Sequence, residues 1–107
     1  MIYEIEQRRS ELETLCRRFG VRRLEVFGSA VTGAFRADDS DLDFLVEFEA
    51  ASGSGYADRY FGLMESLQQL FERPVDLVVD SAVKNQFFRD SIERTRALLY
   101  AACYATR

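Results

Sequence analysis

The sequence predicts an α+β fold, α/β-like in its strand and helix order: a small mixed sheet of three strands or slightly more, covered by helices. Three observations predict it. Apolar residues recur at helical spacing near both ends of the chain, residues 41–48 alternate cleanly between two faces, and two further short apolar runs are set off by Gly20 and Pro74.

In chain order, residues 3–19 place Ile5, Leu12, Leu15, Cys16 and Phe19 on one stripe with charged residues between them, and Gly20 stands where a helix C-cap belongs. This predicts a first amphipathic helix. Residues 21–27 then predict a strand ending at the Gly28-Ser29 turn, followed by a short helical turn over about 29–33 and a polar loop over 34–40. In the second strand, residues 41–48, Leu42, Phe44, Val46 and Phe48 share one face, and Asp41, Asp43, Leu45 and Glu47 share the other. The small, polar segment 51–55 is a connector within the domain. A second helix is predicted over about 56–72, with Tyr60, Leu63, Met64 and Leu67 on its stripe and Pro74 beyond its end. Residues 75–79 make a third strand. From about 82 to 104, Phe87 or Phe88, Ile92, Thr95, Leu98 or Leu99 and Cys103 recur at helical spacing and predict one long final helix. The sheet face away from the helices is expected to be open, and the long connection between the second and third strands permits parallel pairing.

With 107 residues the chain is expected to form a single domain over 1–107, and its 48% apolar content, with nine Phe and five Tyr, suffices for one core. The formal charge of −4 disfavours nucleic acid as the main partner, because affinity for a polyanion needs a surplus of Lys and Arg. No apolar run approaches the roughly 20 residues that span a bilayer, so a soluble protein with no membrane partner is expected. Cys16 and Cys103 have no pairing motif and no secretory segment ahead of them, which fits a cytoplasmic setting. The chain has no His, and its only Lys is Lys84. Catalysis by Ser-His-Asp or Cys-His, zinc sites containing His, and the lysine-bearing phosphate loop are thereby excluded. Carboxylate chemistry remains.

Asp41 and Asp43 leave one face of a strand with α-carbons roughly 6.5 to 7 Å apart, close enough to converge on shared cations. Asp76, at the start of another strand, is the best candidate for a third carboxylate on that face. A solvated sheet face is the competing explanation. Two carboxylates about 6 Å apart repel by roughly 3 kcal/mol at an effective dielectric of 20 but by under about 1 kcal/mol in water, so an exposed face tolerates them. Context adds specificity. Gly28-Ser29, then Gly33, then Ser40-Asp41-Leu42-Asp43, place a phosphate-sized turn directly before the acidic strand. Weaker candidates are a basic patch of Arg17, Arg18, Arg22 and Arg23, better explained as a solvated helix end, and the aromatic set Phe87, Phe88, Tyr100 and Tyr104, better explained as core.

The segment F-G-S-A-V-T-G-A-F-R-A-D-D-S-D-L-D-F-L-V, residues 27–46, resembles the signature of minimal nucleotidyltransferases of the DNA polymerase β-like superfamily. V-D-L-V at 75–78 resembles their third-aspartate strand, and the likeness extends to I-E-R-T-R-A-L-L-Y-A at 92–101. The resemblance implies a nucleotidyltransferase fold. It implies that Gly28 and Ser29 bind the triphosphate of a nucleotide, and that Asp41, Asp43 and Asp76 are catalytic ligands of two Mg²⁺ ions. The implied reaction is transfer of a nucleoside monophosphate, AMP from ATP, to a hydroxyl. Minimal members often work beside a HEPN-domain protein in toxin–antitoxin pairs, where they modify a HEPN tyrosine and silence an RNase; a HEPN-type partner and a homo- or hetero-oligomer are therefore expected. Two departures stand out. Thr32 occupies a position where many members have Arg, for which Arg36 is a candidate replacement, and the loop before Asp41 is one residue longer than the commonest spacing. The alternative is an antitoxin or scaffold that binds nucleotide and neutralises its partner by contact alone.

Overall fold

The computed structural model describes residues 2–28, 31, 41–49 and 55–102. The element order is α1 (Ile2–Gln7), α2 (Arg9–Arg18), β1 (Val21–Phe27), β2 (Leu42–Phe48), α3 (Tyr56–Phe71), β3 (Val75–Val79), a 3₁₀ turn (Asp80–Ala82), α4 (Gln86–Thr95) and β4 (Ala97–Ala101).

The strands form one mixed sheet in the order β3-β2-β1-β4. β1 pairs antiparallel with both β2 and β4, and β2 pairs parallel with β3. One face carries Leu24, Val26, Leu42, Phe44, Val46, Val75 and Leu77 into the main core, which is closed by Leu12 and Cys16 of α2 and by Leu63, Leu67 and Phe71 of α3. All of these are buried, and the alternation of β2 is what sends Leu42, Phe44 and Val46 to the helix side. The first predicted helix is interrupted at Arg8, whose N–H donates to Ile5 O at 3.0 Å in a tighter turn before α2 begins. Gly20, at φ +69°, ends this segment as expected. α3 follows its predicted stripe and ends on Glu72, which itself takes the left-handed conformation at φ 54°.

The C-terminal segment differs from the single helix that spacing predicts. α4 stops at Thr95, Arg96 is extended (φ −65°, ψ 140°), and residues 97–101 add a fourth strand along β1. The reason is tertiary. β1 would otherwise leave a row of backbone donors and acceptors unpaired at one edge, and Ala-Leu-Leu-Tyr-Ala satisfies them while burying Leu99, so pairing overrides the helical preference of Ala and Leu. The second sheet face is also not open: α4 lies over it, packing Ile92 against Phe27 and Leu45, with Val78 and Val83 beside them. Phe87 and Phe88 were expected in the core, yet Phe87 is 85% exposed and Phe88 40%. They belong to the first turn of α4, before the helix reaches the centre of the sheet; Phe88 meets Phe27 edge to face at 5.9 Å. Tyr100 is half-buried on β4 and not on a helix, and Tyr104 and Cys103 lie outside the described residues.

The turn from α4 into β4 is held by charge. Glu25 of β1, 4% exposed, accepts from Arg96 Nε and Nη2 at 2.5 to 3.1 Å, and Arg23 approaches it at 3.7 Å. Arg96 also binds Glu93, and the hydrogen bond to Glu25 raises the Arg96 pKa further still. On the two outer strands, side chains occupy backbone acceptors: Arg9 donates to Leu99 O of β4 at 2.5 Å, and Tyr60 donates to Leu77 O of β3 at 2.6 Å. Replacing Arg96 with Met strands a buried carboxylate, so Arg96→Met is expected to lower stability by about 2 to 3 kcal/mol in urea denaturation followed by circular dichroism. The double variant Glu25→Leu with Arg96→Met is expected to lose less, because it removes the charge together with its partner.

Candidate active site

The acidic residues meet where β1 ends and where β2 and β3 begin. Leu42 N–H donates to Pro74 O at 3.1 Å, the first link of the parallel pairing, and the register then sets Asp43 directly beside Asp76. Neighbouring strands are about 4.8 Å apart, and side chains of register partners leave the same face. On the other side Asp43 is the register partner of Phe27, so Phe27, Asp43 and Asp76 form one row across three strands. Asp41 stands immediately before β2 and is exposed, as is Asp76; Asp43 is half-buried.

Electrostatics registers this convergence. Burial pushes the Asp43 carboxyl up to about 6, and the negative charges of Asp76 and then Asp41 push in the same direction. Tyr60, whose hydroxyl is engaged on β3, has its pKa raised first by burial and next by the charge of Asp76. Three carboxylates thus act on one small volume. Among the described residues no three acidic or thiol side chains stand as a closed chelate. The donor set is nonetheless hard oxygen, of the type that suits a divalent cation, and a cation placed there would relieve the repulsion that Asp43 now bears.

Gly28 completes the site. It follows β1 at φ +79°, a left-handed conformation, and a Cβ built on it would come within 2.7 Å of Asp43 Oδ2. The glycine therefore serves two requirements together: the turn needs positive φ, and the Asp43 carboxylate fills the space of a side chain. Its N–H donates to Thr95 Oγ1 at 2.9 Å, and its carbonyl accepts from Val31 N at 3.0 Å. The Gly28 amide is consequently engaged by the protein itself. Ser29, like Thr32, Gly33 and Arg36, lies outside the described residues.

Of the five site residues that the sequence singles out, Asp41, Asp43, Asp76 and Gly28 are brought together. Thr95 and Glu25 were not singled out. Nothing in a lone Thr at the end of a helical stripe, or a Glu on a strand, marks them before the α4–β4 turn is known. The four arginines 17, 18, 22 and 23 are all exposed at the junction of α2 and β1, on a stretch with Arg18 over the Phe19 ring at 5.3 Å.

An α+β sheet with paired aspartates at the strand ends and a tight glycine turn beside them is an arrangement suited to metal-assisted phosphoryl chemistry. Residues 9–99 match the nucleotidyltransferase domain family, and the chain belongs to that family. It is 43% identical over 68 residues, 64% of this chain, to the protein adenylyltransferase MntA of Thermococcus cleftensis, a match that spans 65% of that relative. It is 33% identical over 85 residues to a Methanocaldococcus jannaschii protein named as a protein adenylyltransferase, covering 79% of this chain and 83% of the relative. Among solved structures, one described as a minimal nucleotidyltransferase superposes with a TM-score of 0.71 at 32% identity, covering 87% of this chain and 90% of the other. The MNT antitoxin solved in complex with a tri-AMPylated HEPN toxin from Shewanella oneidensis shares the fold, with a TM-score of 0.62 at 15% identity over 91% of this chain and 72% of that one.

Two outcomes follow for the metal-free protein. Asp43→Asn is expected to raise the melting temperature at pH 7, since it removes a charge that the folded state disfavours. The folded pKa is the higher one, so wild type bears this penalty in full above about 6, and the gap between variant and wild type closes as pH falls from there toward the ordinary value of 3.8. Gly28→Ala is expected to cost about 1 to 2 kcal/mol from positive φ and from displacement of Asp43, read by thermal denaturation.

Proposed function

We propose that this chain transfers AMP from ATP to a hydroxyl of a HEPN-type partner protein, as the antitoxin of a toxin–antitoxin pair in the cytoplasm. The observation that carries the reading is the crowding of Asp43 by Asp76 and Asp41 beside the Gly28 turn, a concentration of negative charge whose natural complement is a cation bridged to phosphate. The adenylyltransferase names of the two relatives favour AMP and a protein acceptor. The antitoxin complex among the fold neighbours favours a HEPN-type acceptor.

In this reading Asp41, Asp43 and Asp76 are the catalytic carboxylates and hold Mg²⁺, two ions when nucleotide is present, with nucleotide phosphates supplying the oxygens that the carboxylates do not. Cations held by these carboxylates would supply neutralisation of the triphosphate and a lowered pKa at the acceptor hydroxyl. Gly28 and Ser29 receive the triphosphate. The part of Gly28 is to leave room for the Asp43 carboxylate beside the turn, since its amide already serves Thr95. Asp76, exposed on an outer strand, is open to an arriving hydroxyl. Among the described residues no helix is long and apolar enough to cross a membrane, and Cys16 is a buried free thiol, its pKa raised to about 12 mainly by burial, which makes it unreactive.

Incubation of the chain with α-labelled ATP, Mg²⁺ and a HEPN-type partner is expected to label the partner. Asp41→Ala combined with Asp43→Ala, or removal of the cation with a chelator, is expected to reduce labelling by roughly 10³-fold or more. A partner that is bound and silenced without acquiring label would overturn transfer and leave neutralisation by contact.

A further inference from the structure

We infer that Thr95 is a positioning residue of this site: by accepting the Gly28 N–H, its hydroxyl fixes the turn against which the Asp43 carboxylate is set. The catalytic part of this inference rests on the nucleotidyl-transfer reading; the positional part does not.

The hydrogen bonding has one direction. Thr95 Oγ1 lies 2.9 Å from Gly28 N, which can only donate, so the hydroxyl accepts there. Its own hydrogen goes to Ser91 O at 3.1 Å, with Ile92 O at 3.5 Å as the second acceptor. A helix backbone is thereby linked to the catalytic turn through a single hydroxyl. Gly28 is bounded on two sides, by Thr95 at its amide and by Asp43 Oδ2, 2.7 Å from where a Cβ would stand. Without the acceptor, the peptide before Gly28 is free to rotate, and Asp43 loses the wall that limits where its carboxylate can stand.

Thr95 is itself held rigidly. It is the last residue of α4, and Arg96, the next in sequence, sends its N–H to Ile92 O at 2.8 Å and its guanidinium to the buried Glu25. Glu25 sits on β1, the strand that ends at Gly28. The path from strand to ion pair to helix end and back to the turn is a closed loop of short contacts, the type of supporting shell that keeps reacting groups within the narrow tolerance catalysis requires. Had Thr95 served only to end the helix, its hydroxyl would have needed no partner beyond Ser91.

The test compares Thr95→Val, which keeps the shape and removes the hydroxyl, with Thr95→Ser, which restores it, in the full chain. Nuclear magnetic resonance reads two signals that do not depend on activity: hydrogen exchange at the Gly28 amide and the chemical shift of the Asp43 carboxyl carbon. Thr95→Val is expected to exchange Gly28 about tenfold faster or more and to move the Asp43 signal, and Thr95→Ser to restore both. With ATP and Mg²⁺ saturating, AMP transfer by Thr95→Val is expected to slow about 10- to 100-fold in kcat with KM for ATP changed less than about threefold, and Thr95→Ser to recover most of the rate. If Thr95→Val leaves Gly28 exchange and Asp43 unchanged, or if Thr95→Ser is as impaired as Thr95→Val, the inference is wrong. If Thr95→Val fails to fold, Thr95→Ala against Thr95→Ser gives the same comparison. A wild type that transfers no AMP, yet shows the two resonance effects, defeats the transfer reading and upholds the positional role.

Discussion

The parallel pairing of β2 with β3, in the register that sets Asp43 beside Asp76, is the constraint on which the rest of the molecule depends. A parallel pair needs a crossover, and α3 supplies it while closing the main core over Phe44 and Leu77. Shifting β3 by one residue would turn Asp76 into the core and Leu77 out to the site, so burial of the alternate residues maintains the acidic row. The like-charge repulsion at the strand ends is sustained because it is local, whereas the packing that enforces it extends over the whole sheet.

Around that row the chain uses both faces of the sheet differently. The face under α2 and α3 is almost wholly apolar and gives stability. The other face combines the small apolar cluster of Phe27, Leu45 and Ile92 with Glu25, Arg96 and Thr95, and these polar groups tie α4 to the same strand that carries Gly28. Exchanging a pair such as Glu25–Arg96 for apolar residues often leaves a protein as stable or more so; what the pair contributes here is a defined path for the chain as it leaves α4.

Much of this was legible in the sequence because period 2 and period 3.6 are hard to confuse in long, two-faced segments. The bounds of β1 and β3 came from Gly20, the Gly28 turn and Pro74, the faces of β2 came from alternation, and the Asp-x-Asp spacing with the upstream glycine singled out residues that the pairing then sets side by side. Beyond residue 95 the reading failed. Leu98, Leu99 and Tyr100 fit a helical stripe as well as a strand, and the decision is made by a partner more than 70 positions away in sequence, the open edge of β1. A separation of 67 positions also hid Thr95. Its meaning exists only once α4 has been folded back onto Gly28. Spacing likewise offered no sign that Phe87 would stand in solvent, since helical periodicity reports a stripe and not how far the sheet beneath it reaches.

The side chains that occupy the outer strands have a consequence for assembly. A sheet whose end strands offer free carbonyls invites another chain to add itself as a further strand, without regard to what that chain is. Here Tyr60 on Leu77 O and Arg9 on Leu99 O blunt both ends of the sheet. An incoming strand would have to displace a phenol or a guanidinium before it gained a complete ladder. Such a molecule is biased against indiscriminate strand addition and toward contacts that read its side chains.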